Sequence, residues 1–134
     1  MPEKKTVERA QEDLREGKAP STAAGEFVRE EMDHIREGKH GAASTKQAIA
    51  IGLSKARRAG VPLKPPAKGK AKSRTRAKAK RDYTKGQSSS RRKTSAKRSR
   101  AVSRALKKKP KSAASHRALS RHAKSASRRR RRAA

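Results

Sequence analysis

Beyond residue 63 the chain sets 29 lysines and arginines against one acid, Asp82, and that stretch most constrains what the sequence can build. Residues 64–134 carry a net charge near +28, whereas residues 1–63 hold ten acids and 12 bases and are close to neutral. So dense a run of one sign bears on solubility, association and polyanion binding rather than on fold. The large apolar or aromatic residues there are Tyr83, Val102, Leu106 and Leu119, too few for burial to offset the entropy of ordering the backbone. The expectation is an all-α protein with a small three-helix head over 1–63 and a long disordered basic tail over 64–134.

The head holds Val7, Leu14, Phe27, Val28, Met32, Ile35, Ile49, Ile51, Leu53, Val61 and Leu63. Burying each contributes roughly 1.5–3 kcal/mol, against on the order of 1.5 kcal/mol to order each residue. That balance predicts a marginal domain steadied by a twin subunit or a ligand, and hence a homodimer through the head.

Apolar spacing and end signals predict helices at about 6–16, 22–37 and 45–59. Thr6 is the expected cap of the first, with Val7, Ala10 and Leu14 on one stripe. The second starts at Ser21 or Thr22 and aligns Ala24, Phe27, Val28, Met32 and Ile35. Ser44 with Gln47 three residues on forms a capping box for the third. Gly17, Gly38 and Gly60 are the expected stops. Leu14-Arg15-Glu16-Gly17-Lys18 is echoed by Ile35-Arg36-Glu37-Gly38-Lys39, and a Ser-Thr pair follows each copy.

Leu63-Lys64-Pro65-Pro66 marks a stiff, extended hinge. In the tail, Arg100-Ala101-Val102-Ser103-Arg104 recurs as Arg117-Ala118-Leu119-Ser120-Arg121. Alanine and arginine favour helix, so charge repulsion is what would hold these stretches open. Nascent helices near 95–109 and 112–127 would form where phosphates relieve it.

The third helix and its preceding turn carry a resemblance. Ser44-Thr45-Lys46-Gln47-Ala48-Ile49-Ala50-Ile51-Gly52-Leu53-Ser54-Lys55-Ala56-Arg57-Arg58-Ala59-Gly60, after Arg36-Glu37-Gly38-Lys39-His40-Gly41, resembles a family of small basic bacterial proteins of unknown function, over roughly residues 3–66. The resemblance implies a bacterial source and brings no activity or site residues with it. Separately, the tail is similar in composition to the Lys/Arg/Ala/Ser tails of linker-histone-like nucleoid proteins.

With no cysteine, thiolate metal sites and disulfides are excluded. No apolar run approaches the roughly 18 residues of a membrane span, and the N-terminal residues lack a signal-peptide stretch. A cytoplasmic, nucleoid-associated protein without an integral membrane segment is expected. His34, His40, His116 and His122 show no metal-binding spacing along one helix face, and no apolar pocket is evident in which a pKa would shift. The expectation is a non-enzyme with no cofactor and no metal.

The function expected is sequence-tolerant nucleic-acid binding through phosphates, coating or condensing DNA. Double-stranded DNA is favoured over RNA because only Phe27 and Tyr83 offer an aromatic face for base stacking. The candidate contacts in the head are Lys39 and Lys46 at the third helix's start, where backbone N–H groups suit a phosphate, and Lys55, Arg57 and Arg58 along that helix. Those in the tail are Arg91, Arg92, Lys93, Lys97, Arg98, Arg100, Arg104, Lys107, Lys108, Lys109, Arg117, Arg121, Arg128, Arg129, Arg130, Arg131 and Arg132. For the turn, an ordinary capped connection is the competing reading. For the third helix it is close packing through Ala48, Gly52, Ala56 and Ala59. The alternative function is a protein-interaction or assembly factor whose basic tail tethers it to RNA or an anionic surface.

Overall fold

The computed structural model describes residues 2–88 and 95–133. Among these it contains six α-helices: α1 (Lys4–Arg15), α2 (Pro20–Arg36), α3 (Thr45–Arg58), α4 (Ser73–Gln87), α5 (Ala96–Lys107) and α6 (His116–Ala133), with a 3₁₀ turn at Ser112–Ala114. By contacts the chain divides into two compact units, Met1–Glu30 with Ala50–Lys93 and Glu31–Ile49 with Thr94–Ala134. The division falls inside α2 and α3, not at residue 63.

The first three helices share one stop. Gly17, Gly38 and Gly60 adopt φ of 79°, 81° and 101°, a left-handed conformation that costs glycine little because it has no Cβ. At each, two amides turn back onto the last helical carbonyls: Gly17 to Leu14 and Lys18 to Asp13, Gly38 to Ile35 and Lys39 to His34, Gly60 to Arg57 and Val61 to Ala56. This is the Schellman closure, and it explains the repeated Leu/Ile-Arg-Glu-Gly-Lys unit.

The starts differ from expectation. Glu3, not Thr6, occupies the cap position of α1, and Thr6 is buried one turn in, donating its hydroxyl to Glu30 Oε1 at 3.2 Å. The same oxygen accepts the Glu3 amide at 2.6 Å, so a carboxylate from α2 sits at the positive end of α1. Helix α2 begins at Pro20, whose fixed φ and missing N–H suit a first helical position. At α3 the capping box forms: the Gln47 amide donates to Ser44 Oγ at 3.1 Å, and Gln47 Oε1 accepts from Ala43 N at 2.6 Å.

The core of the first unit is built on Phe27 with Ala10, Ala23, Ala24, Ala56 and Val61, flanked by Val7, Leu14, Leu53, Ala59 and Leu63. Small residues let its helices approach closely. A Cβ on Gly52 would stand 2.7 Å from Val28 Cα, so α3 lies against α2 through its Ala/Gly face. At the end of α1, Asp13 and then Glu16 hold the Lys18 ammonium above the ordinary lysine range, at 2.8 and 2.9 Å.

The disordered tail does not materialise, and the fold is larger than a three-helix head. Residues 64–134 supply α4, α5, the 3₁₀ turn and α6. In the first unit, α4 docks through buried Ala79 and Asp82. Asp82 accepts from Ser54 Oγ at 2.8 Å and Arg58 Nε at 2.9 Å. Gln87 Nε2 donates to Gly60 O at 3.1 Å, and a Cβ on Gly86 would stand 1.7 Å from Arg57 O.

In the second unit, the Gly41 and Ala42 amides donate to Leu106 O and Pro110 O at 2.8 and 3.1 Å. Thr45 Oγ1 donates to Ala113 O at 2.6 Å and Arg36 Nε to Ala114 O at 2.8 Å. Ala113 and Ala114 are buried in the same unit. The ordering contacts are thus backbone carbonyls, one acid and small residues. Large apolar side chains, the basis for expecting disorder, contribute little to them.

The expected nascent helices at 95–109 and 112–127 correspond to α5 and α6. Basic residues occupy the last turn of each, Arg104 with Lys107 and Arg130 with Arg131 and Arg132, where the negative end of the helix dipole favours cations.

Candidate nucleic-acid interface

Among the basic residues expected to contact phosphates, those of α3 divide sharply. Lys46 is exposed and Lys55 half-buried. Arg57 is only 8% exposed, and its guanidinium donates to Leu63 O at 3.1 Å and Lys64 O at 3.4 Å. Burial pulls Arg57 below the ordinary arginine value, opposed by the charge of Asp82. Arg58 pairs with buried Asp82. These two arginines fasten the end of α3 to the segment that follows it.

In the turn before α3 four backbone amides are already engaged. Those of Gly41 and Ala42 engage Leu106 O and Pro110 O, that of Ala43 engages Gln47 Oε1, and that of Gln47 engages Ser44 Oγ. Lys39 lies 3.2 Å from Glu37. The turn is capped and also docks the chain after α5.

The exposed charge lies on the last three helices. On α6, Arg117, Arg121, Lys124, Arg128 and Arg131 recur every three or four residues and are all exposed, which places them on one face. The opposite face carries Ala118, Leu119, His122 and Ala126, each half-buried. From Arg117 to Arg131 this stripe extends about 21 Å, and Arg129, Arg130 and Arg132 widen its end. Helix α5 presents Lys97, Arg100, Arg104 and Lys107 in the same manner, continued by Lys108 and Lys109 and flanked by Arg98, all exposed.

Helix α4 carries a stripe that the sequence reading left out. Arg74, Lys78, Arg81 and Lys85 fall at intervals of four, three and four residues and are exposed, while Ala79 and Asp82 face inward. A shallow groove beside them is lined by Ala77, Lys80, Arg81, Thr84 and Lys85. Their helical spacing is the signal in the sequence, and it has meaning only where the segment is a helix. Arg91, Arg92 and Lys93 lie outside the described residues.

Among the described residues, α4, α5 and α6 carry no exposed acid. Their single acid is Asp82, buried and ion-paired. Each helix therefore offers a row of cations unneutralised by its own side chains. No helix among the described residues is long and apolar enough to cross a membrane. No family model, curated protein or solved structure matches the chain.

Proposed function

We propose that the chain binds duplex nucleic acid without reading its sequence, laying the cationic rows of α4, α5 and α6 against phosphates. The observation that supports this is the pairing of exposed Lys/Arg rows with the absence of exposed acids from the same three described helices. Duplex DNA presents one negative charge per roughly 1.7 Å of axis, so a 20 Å row of cations meets many phosphates at once. Each engaged cation releases condensed counterions, which drives binding and makes it fall steeply with salt.

Double-stranded DNA is the favoured partner and structured RNA the second. A chain with Tyr83 and Phe27 as its only tyrosine and phenylalanine, no tryptophan, and Phe27 fully buried has little with which to stack bases. Within this proposal the protein coats or condenses a bacterial chromosome. Self-association through the first three helices belongs to the same proposal and would bring two sets of rows to neighbouring sites.

A mobility-shift titration of the full chain at several salt concentrations tests the reading. Ten engaged charges give a log–log slope near −9 on duplex DNA, with similar affinity for unrelated sequences. Affinity insensitive to salt, or confined to one sequence, overturns it. The assembly-factor reading has Val102, 54% exposed on α5, in its favour. It gains if the chain ignores duplex DNA in dilute buffer yet captures a defined protein.

A further inference from the structure

Glu31 and His34 lie one turn apart on α2, a Glu-x-x-His spacing that sets both on one helix face. The left-handed turn at Gly38 then reverses the chain and returns His40 to that face. His40 Nε2 stands 3.0 Å from Glu31 Oε2, and the two imidazole rings meet edge to face with centroids 6.4 Å apart. One donor atom from each of the three residues lies within 4.8 Å of the others. All three belong to the second compact unit.

The hydrogen bonding of His40 orients this cluster. Its Nδ1 lies 2.9 Å from Gly41 O, and a carbonyl oxygen only accepts, so Nδ1 carries the proton. In the neutral ring, Nε2 then presents a lone pair toward the Glu31 carboxylate. A carbonyl that holds the N–H of one imidazole nitrogen, leaving the other nitrogen as the donor, is the arrangement found where histidine binds a metal. Glu31 is wholly buried.

We propose that Glu31, His34 and His40 form a site for a divalent zinc-type ion. Two imidazoles and a carboxylate are a zinc donor set with the fourth position open to water. Zinc–ligand bonds of about 2.0–2.2 Å separate neighbouring donors by about 3.3 Å, close to the 3.0 Å of the Glu31–His40 pair. The ion joins the last turns of α2 to the connection whose Gly41 and Ala42 amides hold Leu106 O and Pro110 O. Loading therefore stiffens the seat of the segment after α5. A chain with 41 basic and 11 acidic residues repels divalent cations over most of its surface, so tight binding reports a local site. This inference is independent of the nucleic-acid reading.

The test titrates the full chain, stripped of metal and nucleic acid in EDTA and high salt, with zinc by calorimetry and with cobalt by visible absorption. One ion per chain is expected, with tetrahedral-type cobalt bands. His34→Ala and His40→Ala each lower zinc affinity by roughly tenfold or more, while the double variant His116→Ala/His122→Ala leaves it unchanged. Ring ¹⁵N spectra of the unmutated protein make the test independent of how variants fold: zinc shifts His34 and His40, and it slows hydrogen exchange at Gly41 and Ala42. Absence of saturable binding, zinc affinity in both single variants equal to that of the unmutated chain, or shifts confined to His116 and His122 overturns the proposal.

Discussion

The carboxylate of Asp82, the one acid in residues 64–134, lies 2.9 Å from Nε of Arg58 at the end of α3. Ser54 donates to its other oxygen at 2.8 Å. Helix α4 is thereby fastened by the single negative charge of the strongly basic half, which is withdrawn from the surface. Asp82→Ala removes both bonds but leaves Arg58 half-exposed and able to rehydrate, so a loss of about 1–3 kcal/mol in stability is expected. Hydrogen exchange should speed up first across α4. Unchanged protection of residues 73–87 would show that α4 docks by other means.

Two glycines make opposite demands from a third. A Cβ at Gly41 or Gly86 would stand 1.9 Å from Lys109 O or 1.7 Å from Arg57 O, so alanine at either should destabilise by at least the roughly 1–3 kcal/mol typical of overpacking. Gly25 sits within α2 with open space around it. Alanine there should stabilise by about 0.5–1 kcal/mol. Chemical denaturation of the three variants checks both signs.

Cations that fold the chain separate from cations offered to a ligand. Arg57→Ala strips two carbonyl contacts from Leu63 and Lys64 and should lower the unfolding midpoint while leaving the salt slope of DNA binding unchanged. Changing Arg117, Arg121, Lys124 and Arg128 together to glutamine should do the reverse. If all four touch phosphates, the slope flattens by about 3.6 with little change in stability, because all four are exposed.

The carboxylate of Glu30 serves α1 from a distance in sequence. Glu30→Ala leaves the Glu3 amide and the Thr6 hydroxyl without their acceptor. Loss of such a cap typically costs about 1 kcal/mol, read as fraying of residues 4–8 in amide exchange before the rest of α1 opens.

What was legible in the sequence was local. Gly17, Gly38 and Gly60 each follow an apolar residue near a helix end, and each closes a Schellman turn because the required conformation is short-range. Ser44 and Gln47 announce their box for the same reason. What failed was the inference from few large apolar residues to a disordered tail. That test counts side-chain area, whereas α4 and the chain beyond α5 dock through Ala79, Ala113 and Ala114, two close-approach glycines and hydrogen bonds to carbonyls. Such contacts depend on partners 24 to 78 positions away and leave no periodic trace. The burial of Arg57 and the pairing of Arg58 were hidden for the same reason, since only the fold brings Leu63, Lys64 and Asp82 to them. His40 escaped notice as a partner of Glu31 because it lies beyond the helix, returned by a turn rather than by helical spacing.

The interleaving of the two compact units governs how the molecule can be dissected. Residues 31–49 complete their unit only with residues beyond 94, and residues 1–30 share theirs with α4. Truncation at the proline-rich hinge would therefore strip packing partners from what remains at the front and release a rear fragment lacking its seat. Activities assayed on either piece would report damaged halves of two structures, and point substitution in the intact chain is the sounder way to assign them.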